Sequence, residues 1–121
     1  MEALASVAAT VGVRVTVVEP GAVASEFVTS QRIDVPALVT GAGPYGQALQ
    51  SYIDRARQSF GNAQSAADAA ETVLDVLEAQ DPPFRVQTSE WARGFVGTKL
   101  ADADGSAVQD MVAQWVGTRE P

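Results

Sequence analysis

The sequence predicts a helix-rich α/β fold, and three observations support that prediction. Residues 13–18 are β-branched and apolar nearly throughout, as in a strand covered on both faces, and Pro20 and Gly21 end this strand. Residues 84–88 alternate in side-chain character, as in a short edge strand. Elsewhere the apolar residues recur at helical spacing. Because open α/β sheets bind ligands at the carboxyl ends of their strands, the Pro-Gly loop is the first place to look for a site.

Four segments have the periodicity of amphipathic helices, and they are residues 1–11, 44–60, 65–80 and 106–116. Ser65 is expected to cap the third of these helices, with Asp68 in its first turn near the positive end of the helix dipole. Ser106 and Gln109 have the spacing of a capping box at the start of the fourth. The third of these helices is expected to bury one apolar stripe, formed by Ala66, Ala69, Ala70, Val73, Leu74 and Leu77.

Two other segments are less regular. Residues 22–43 are expected to form a long loop, with a helical turn near 24–30, because polar residues and prolines interrupt any period. Residues 90–101 are ambiguous, since Gly94 and Gly97 interrupt a loosely helical pattern.

Composition excludes several classes of function. The 121 residues are enough for one small domain or part of one, and 46% of them are hydrophobic. Fifteen acids against eight bases give a net charge of −7, which disfavours binding to nucleic acid or to an anionic membrane. Cysteine and histidine are both absent, so the sequence offers neither a thiolate nor an imidazole for catalysis or metal binding. We predict a cytoplasmic protein without a signal peptide, because no basic segment followed by an apolar block opens the chain.

Residues 1–27 resemble the region around the sixth strand of a short-chain dehydrogenase/reductase. The shared features are a helix, a short turn, a strand of the type V-x-V-x-V-V-E, Pro-Gly, and then a small hydroxyl residue, here Ser25 where threonine is usual. The resemblance continues more loosely to the end of the chain, and it covers only the second half of such an enzyme. It implies the C-terminal portion of a Rossmann-like parallel sheet.

The resemblance also divides the chain, as a single partial domain of residues 1–121, into three parts. Residues 1–27 would supply the helix, the strand and the Pro-Gly loop. Residues 28–61 would form a substrate-side loop and helix, and residues 62–121 a helix, an edge strand and the C-terminal helices. The missing first half would make this chain a truncated form of the family, through a gene truncation, an internal start or a shortened expression product.

By resemblance, the cofactor would be NAD or NADP and the reaction a hydride transfer involving an alcohol or a carbonyl compound. Pro20, Gly21 and Val23 would then lie near the nicotinamide ring, and Ser25 would hydrogen-bond the carboxamide or a phosphate. The alternative is that Pro20 and Gly21 only turn the chain. Apolar residues of the following loop favour an apolar alcohol or ketone as substrate, namely Ala22, Val23, Phe27, Val28 and Val39.

The family's catalytic pair, Tyr-x-x-x-Lys, does not occur in this sequence. The one lysine, Lys99, has Phe95 four residues before it, and neither Tyr45 nor Tyr52 has a lysine four residues after it. We therefore identify no catalytic residue, and we expect this chain alone to be inactive and to bind the cofactor weakly or not at all.

Two further motifs suggest ligand sites, but their context disfavours that function. Residues 41–46 read G-x-G-x-x-G, yet Pro36 disrupts a preceding strand and Pro44 removes an amide that would meet a phosphate. We predict a loop and a helix start there. Residues 102–106 resemble the opening of a calcium loop, but Ala113 stands where the bidentate acid is required, so we predict a turn and no metal site.

The strand at 13–18 is expected to leave one edge unpaired, because only one other strand is predicted. We therefore predict a homo-oligomer that associates through residues 1–18. A non-catalytic, self-associating α/β module is the alternative to the oxidoreductase.

Overall fold

The computed structural model describes residues 1–118, except for the side chains of Val28 and Thr29. Its helices are α1 (Glu2–Ala9), α2 (Phe27–Ser30), α3 (Val35–Gly41), α4 (Gly46–Gly61), α5 (Ala66–Glu78), α6 (Glu90–Ala101) and α7 (Ser106–Trp115). The strands are β1 (Val17–Glu19) and β2 (Arg85–Gln87), and a 3₁₀ turn at Gly43–Tyr45 joins α3 to α4. The predicted helix-rich α/β fold is confirmed.

The two strands pair in parallel, with Val17 opposite Arg85 and Glu19 opposite Gln87. Both strands are shorter than predicted, with three residues each. The first begins only at Val17 rather than at residue 13, and the second covers 85–87 rather than 84–88. Continuing the same register towards the N-terminus would place Pro82 and Pro83 opposite residues 14 and 15. Because proline has no amide hydrogen to donate, the ladder cannot extend in that direction.

Polar side chains join the two strands to each other and to α1. The Arg85 guanidinium donates from Nη1 to Glu19 Oε1 at 2.5 Å and from Nη2 to Glu2 Oε1. Gln87 Nε2 donates to the other oxygen of Glu19 at 2.7 Å. The pKa of Glu2 is lowered by a hydrogen bond from the backbone amide of Glu2 itself and by Arg85. The hydrogen bond to Glu2 in turn raises the pKa of Arg85.

The predicted helical turn near 24–30 is confirmed as α2, but the rest of the predicted long loop at 22–43 is wrong, because it contains α3. Asp34 caps α3 by accepting a hydrogen bond from the Ala37 amide at 3.0 Å, and Pro36 lies in the first turn, where its missing amide costs nothing. The same proline that appears to interrupt a strand is therefore a helix-start residue. The ambiguous segment at 90–101 is also a helix, α6.

The predicted N-cap at Ser65 is confirmed, as part of a full capping box with Asp68, whereas the predicted capping box at Ser106 is wrong. Ser65 Oγ accepts from the Asp68 amide at 3.0 Å, and the Asp68 carboxylate accepts from the Ser65 amide at 3.3 Å. At α7 the N-cap is Gly105, whose φ of 81° suits glycine, rather than Ser106. The carboxylate of Asp102 reaches past this turn and accepts from the amides of Ala107 and Val108 at 3.1 and 2.9 Å.

The expectation of a buried strand and buried helical stripes is wrong. Residues 15–19 are half-buried, and among the side chains that the structure describes the one apolar side chain that is fully buried is Ala92, which is 3% exposed. On α5 the stripe residues Leu74 and Leu77 are 55% and 70% exposed, because no other element covers that face. The stripe of α1 is exposed as well. Helical periodicity thus identified the apolar faces but not what covers them.

Within the described residues, no helix combines the length and the apolar character needed to cross a membrane.

Candidate functional site

A cleft of about 590 Å³ lies where the chain leaves both strands. Since β1 and β2 are parallel, their carboxyl ends meet at one edge of the sheet. The loop after β1 contributes Ala22 and the turn after β2 contributes Ser89. The complete lining is Ala22, Arg55, Gln58, Ser59, Asn62, Gln64, Ser89 and Trp91.

Close packing between Gly21 and α6 fixes one side of this cleft. A Cβ atom on Gly21 would lie 2.6 Å from Ser89 Oγ and 3.7 Å from the Cβ of Ala92. Ser89 Oγ in turn caps α6 by accepting from the Ala92 amide at 3.2 Å. A side chain at Gly21 would therefore displace the Ser89 hydroxyl from its capping position unless the loop moved away from α6.

Gln64 ties the loop after β1 to the segment before α5. Gln64 pairs with Val23 in an isolated parallel bridge, in which the Ala24 amide donates to the Gln64 carbonyl at 2.9 Å. The Gln64 amide donates to the Ala22 carbonyl at 3.1 Å. The side-chain amide of Gln64 also donates to Thr88 Oγ1 at the end of β2. The loop is thus held at both strands' ends by backbone and side-chain hydrogen bonds.

The four predicted cofactor-contacting residues have different surroundings. Pro20 is exposed, whereas Gly21 and Val23 are half-buried. The backbone N–H and C=O of Val23 have no hydrogen-bond partner among residues 1–118, since the Gln64 bridge uses those of its neighbours. Ser25 is exposed, and its Oγ accepts from the Phe27 amide at 3.4 Å at the start of α2. None of the four side chains lines the cleft.

Most cleft residues were not anticipated from the sequence. Arg55 lies on α4, which is predicted from its apolar residues alone, and Trp91 belongs to the segment of ambiguous structure. The guanidinium of Arg55 has no acidic partner among the described residues, whereas Arg57 on the same helix lies 3.5 Å from Asp54. Ser89 could have been recognised as an N-cap that follows a strand directly.

An aromatic groove adjoins the polar cleft. The groove has a volume of about 180 Å³ and shares Arg55, Ser59 and Trp91 with the cleft. Its other lining residues are Tyr52, Ala56, Phe60 and Trp115. Trp91 stacks on Phe95 with ring centroids 5.3 Å apart, and Phe95 lies 6.1 Å from Trp115, so α6 and α7 are joined by a row of three rings.

The glycine-rich stretch at 41–46 is a corner between two helices rather than a phosphate loop. The element that leads directly into it is α3, not a strand. Gly46 is buried, and a Cβ atom there would lie 2.8 Å from the carbonyl oxygen of Val39. The predicted helix start is confirmed, and the absence of a side chain at Gly46 serves helix packing. The predicted turn at 102–105 is confirmed too.

No protein-family model matches this chain, and no curated protein matches it.

Proposed function

We propose that this chain forms the substrate-side half of an NAD(P)-dependent oxidoreductase resembling the short-chain dehydrogenases/reductases, acting on an alcohol or a carbonyl compound. The observation that carries this proposal is the cleft at the carboxyl ends of two parallel strands, bordered by the loop that begins with Pro20 and Gly21. The Rossmann-like character of the sheet is part of the proposal. Its support is the parallel pairing of β1 and β2 with helices between them.

The backbone at Val23 fits a nicotinamide carboxamide. Its unpartnered N–H and C=O offer one donor and one acceptor side by side, and a carboxamide presents one acceptor and one donor group. Gly21 packs this loop against the start of α6. That packing would restrict the motion of the loop and so fix the orientation of the nicotinamide ring. When bound, the cofactor supplies the hydride chemistry, and these residues would only hold and orient it.

The chain lacks the groups that would move a proton during the reaction. No Tyr-x-x-x-Lys pair occurs in the sequence, and Tyr52, in the aromatic groove, has no lysine one turn further along α4. We therefore expect no turnover by this chain alone. Production or consumption of reduced cofactor with secondary alcohols or ketones should stay at background. A rate that follows the purified chain and disappears in Ser25→Ala would contradict this expectation.

Titration of the isotope-labelled chain with nicotinamide mononucleotide tests the proposed contact. Affinity should be weak, because a few hydrogen bonds contribute about 0.5–1.5 kcal/mol each, against an association cost of about 4 kcal/mol or more. Amide shifts should be confined to residues 20–25, Gln64 and Ser89. Nicotinic acid mononucleotide is the matched control, because its carboxylate cannot donate to the Val23 carbonyl. Equal shifts with both ligands, or shifts elsewhere only, would contradict the contact.

A non-catalytic, self-associating module is the second candidate function, and the exposed apolar faces of α1 and α5 favour it. Leu4 and Val7 on α1 are 53% and 67% exposed, and α5 exposes Leu74 and Leu77 to a similar degree. A surface of this kind is typical of a chain that binds another protein chain.

A further inference from the structure

We infer that the polar cleft and the aromatic groove together bind a carboxylate that carries an apolar chain, with the carboxylate at Arg55 and the chain against Trp91. Under the proposed function this ligand is the substrate, a hydroxy or oxo acid, and that assignment of its role rests on the proposed function. The binding itself follows from the two cavities.

The charge of the cleft is opposite to the charge of the protein. The chain carries a net charge of −7, yet the eight residues that line the cleft include one arginine and no acid. Arg55 is exposed and has no acidic partner within residues 1–118, so its guanidinium is available to a ligand. A guanidinium presents paired N–H donors that match the two oxygens of a carboxylate.

The rest of the cleft offers neutral hydrogen-bonding groups. The side-chain amides of Gln58 and Asn62 have no partner among the described residues, and both line the cleft beside Arg55. Ser59 donates its hydroxyl hydrogen to the Arg55 carbonyl at 3.1 Å, which leaves its oxygen able to accept. These groups suit the carbonyl or hydroxyl oxygens of a polar ligand head.

The aromatic groove supplies a place for an apolar chain. Trp91 is 53% exposed and lines both cavities, so a ligand whose head lies at Arg55 can extend directly over its ring. Tyr52 and Phe60, which also line the groove, are 47% and 41% exposed. A purely polar anion would leave this aromatic surface in water, whereas an apolar chain would cover it.

The structure changes the substrate that the sequence favoured. An apolar alcohol or ketone was expected from the apolar residues at 22–39, but among those whose side chains the structure describes only Ala22 lines the cleft. The apolar contact comes instead from α4, α6 and α7, and the cation at Arg55 adds a preference for a negative charge at one end.

Titrations with hexanoate, hexanamide and acetate, followed by amide shifts at neutral pH, separate the two halves of the ligand. We expect hexanoate to shift amides near Arg55 and Trp91 and to bind more tightly than either hexanamide or acetate. The preference over hexanamide should be roughly fivefold at low salt, as for an exposed ion pair, and should decrease as salt is added. Equal affinity for hexanoate and hexanamide would overturn the inference.

Variants on α4 give the matched comparison. Arg55→Gln should abolish the preference for hexanoate and Arg55→Lys should keep part of it. Arg57→Gln removes the same charge from the same helix at a residue that does not line the cleft, and should leave the preference intact. If Arg57→Gln has the same effect as Arg55→Gln, a general charge effect replaces the proposed site. Unchanged amide shifts in α5 verify that each variant is folded.

The two proposals fail separately. Hexanoate binding without any response to nicotinamide mononucleotide would leave the carboxylate site standing and remove the oxidoreductase. A nucleotide response at residues 20–25 without a preference for hexanoate would remove the carboxylate site alone.

Discussion

At the scale of single residues, Gly21 sets the distance between the loop after β1 and the start of α6. Gly21→Ala places a methyl group 2.6 Å from Ser89 Oγ, so either the loop moves or Ser89 leaves its capping position. We expect the free energy of unfolding to fall by about 1–3 kcal/mol, as for other overpacked sites. Urea denaturation measures this change.

Two variants serve as controls for that prediction. Gly94→Ala, in the interior of α6, meets no atom within 4 Å and should stabilise the chain by about 0.5–1 kcal/mol through helix propensity. Adding Ser89→Gly to Gly21→Ala should recover part of the loss, because it removes the clashing hydroxyl while glycine remains an acceptable N-cap. A Gly21→Ala chain as stable as the parent would show that the close approach is not required.

The Glu2–Arg85 pair predicts a dependence of stability on pH. The pKa of Glu2 is lowered below its ordinary 4.5 by its own backbone amide and by Arg85. A carboxyl group whose pKa is lower in the folded state stabilises the fold at pH values above its unfolded-state pKa. This stabilisation is lost as the pH falls through the folded-state pKa. Glu2→Gln should therefore destabilise the chain at neutral pH, and the difference should disappear as the pH falls below 4.5.

Thermal unfolding of both chains across this acid range provides the measurement. Glu71→Gln, on the exposed face of α5, is the matched control because Glu71 has no partner within residues 1–118. A Glu2→Gln difference that stays constant through the acid range would show that the ion pair does not contribute.

At the scale of elements, α7 is capped by a carboxylate that lies outside its own first turn. Asp102 holds the start of α7 through two amides, those of Ala107 and Val108. Asp102→Ala leaves both without a partner and should lower the free energy of unfolding by about 1–2 kcal/mol. Asp102→Asn keeps one acceptor oxygen and should cost less.

Urea denaturation of these variants should be compared with Asp75→Ala. Asp75 lies on the exposed face of α5 without a capping role, and alanine there should be neutral or slightly stabilising. If Asp102→Ala behaves like Asp75→Ala, then α7 begins without help from this carboxylate.

At the scale of the whole molecule, the chain exposes more surface than a compact monomer of its size. Its accessible surface is 8849 Å², whereas a folded monomer of 12.6 kDa exposes about 6,200 Å². Covering the excess of about 2,600 Å² on each of two chains would bury about 5,200 Å² in total, at the upper end of what permanent interfaces bury. It includes the apolar face of α1, within the residues through which the chain is predicted to associate.

Light scattering at micromolar concentration should therefore give at least twice 12.6 kDa. Val7→Glu places a charge on the exposed apolar face of α1. The molar mass from light scattering should then fall towards that of a single chain. Ser6→Glu adds the same charge on the opposite side of that helix and should leave the assembly intact. A parent chain that scatters as a well-folded monomer would contradict the predicted oligomer.

The sequence by itself determined the features that depend on neighbours along the chain. Several local features follow from residues within a turn of one another. They are the cap that Ser65 forms with Asp68, the starts of α4 and α5, and the end of the first strand at Pro20. Local signals of the same kind are present at 34–36, where a loop is predicted, so the sequence contains the start of α3 without revealing it.

Only the tertiary structure decided which distant segments meet. Strand length depended on whether Pro82 and Pro83 stood opposite β1, which no pattern within residues 13–18 records. The cleft depended on α4 and α6 bringing Arg55 and Trp91 to the loop after β1, a contact that the neighbours of these residues in the sequence do not indicate. Periodicity shows which face of a helix is apolar, but whether that face is covered depends on the packing of other segments, and here α1 and α5 remain uncovered.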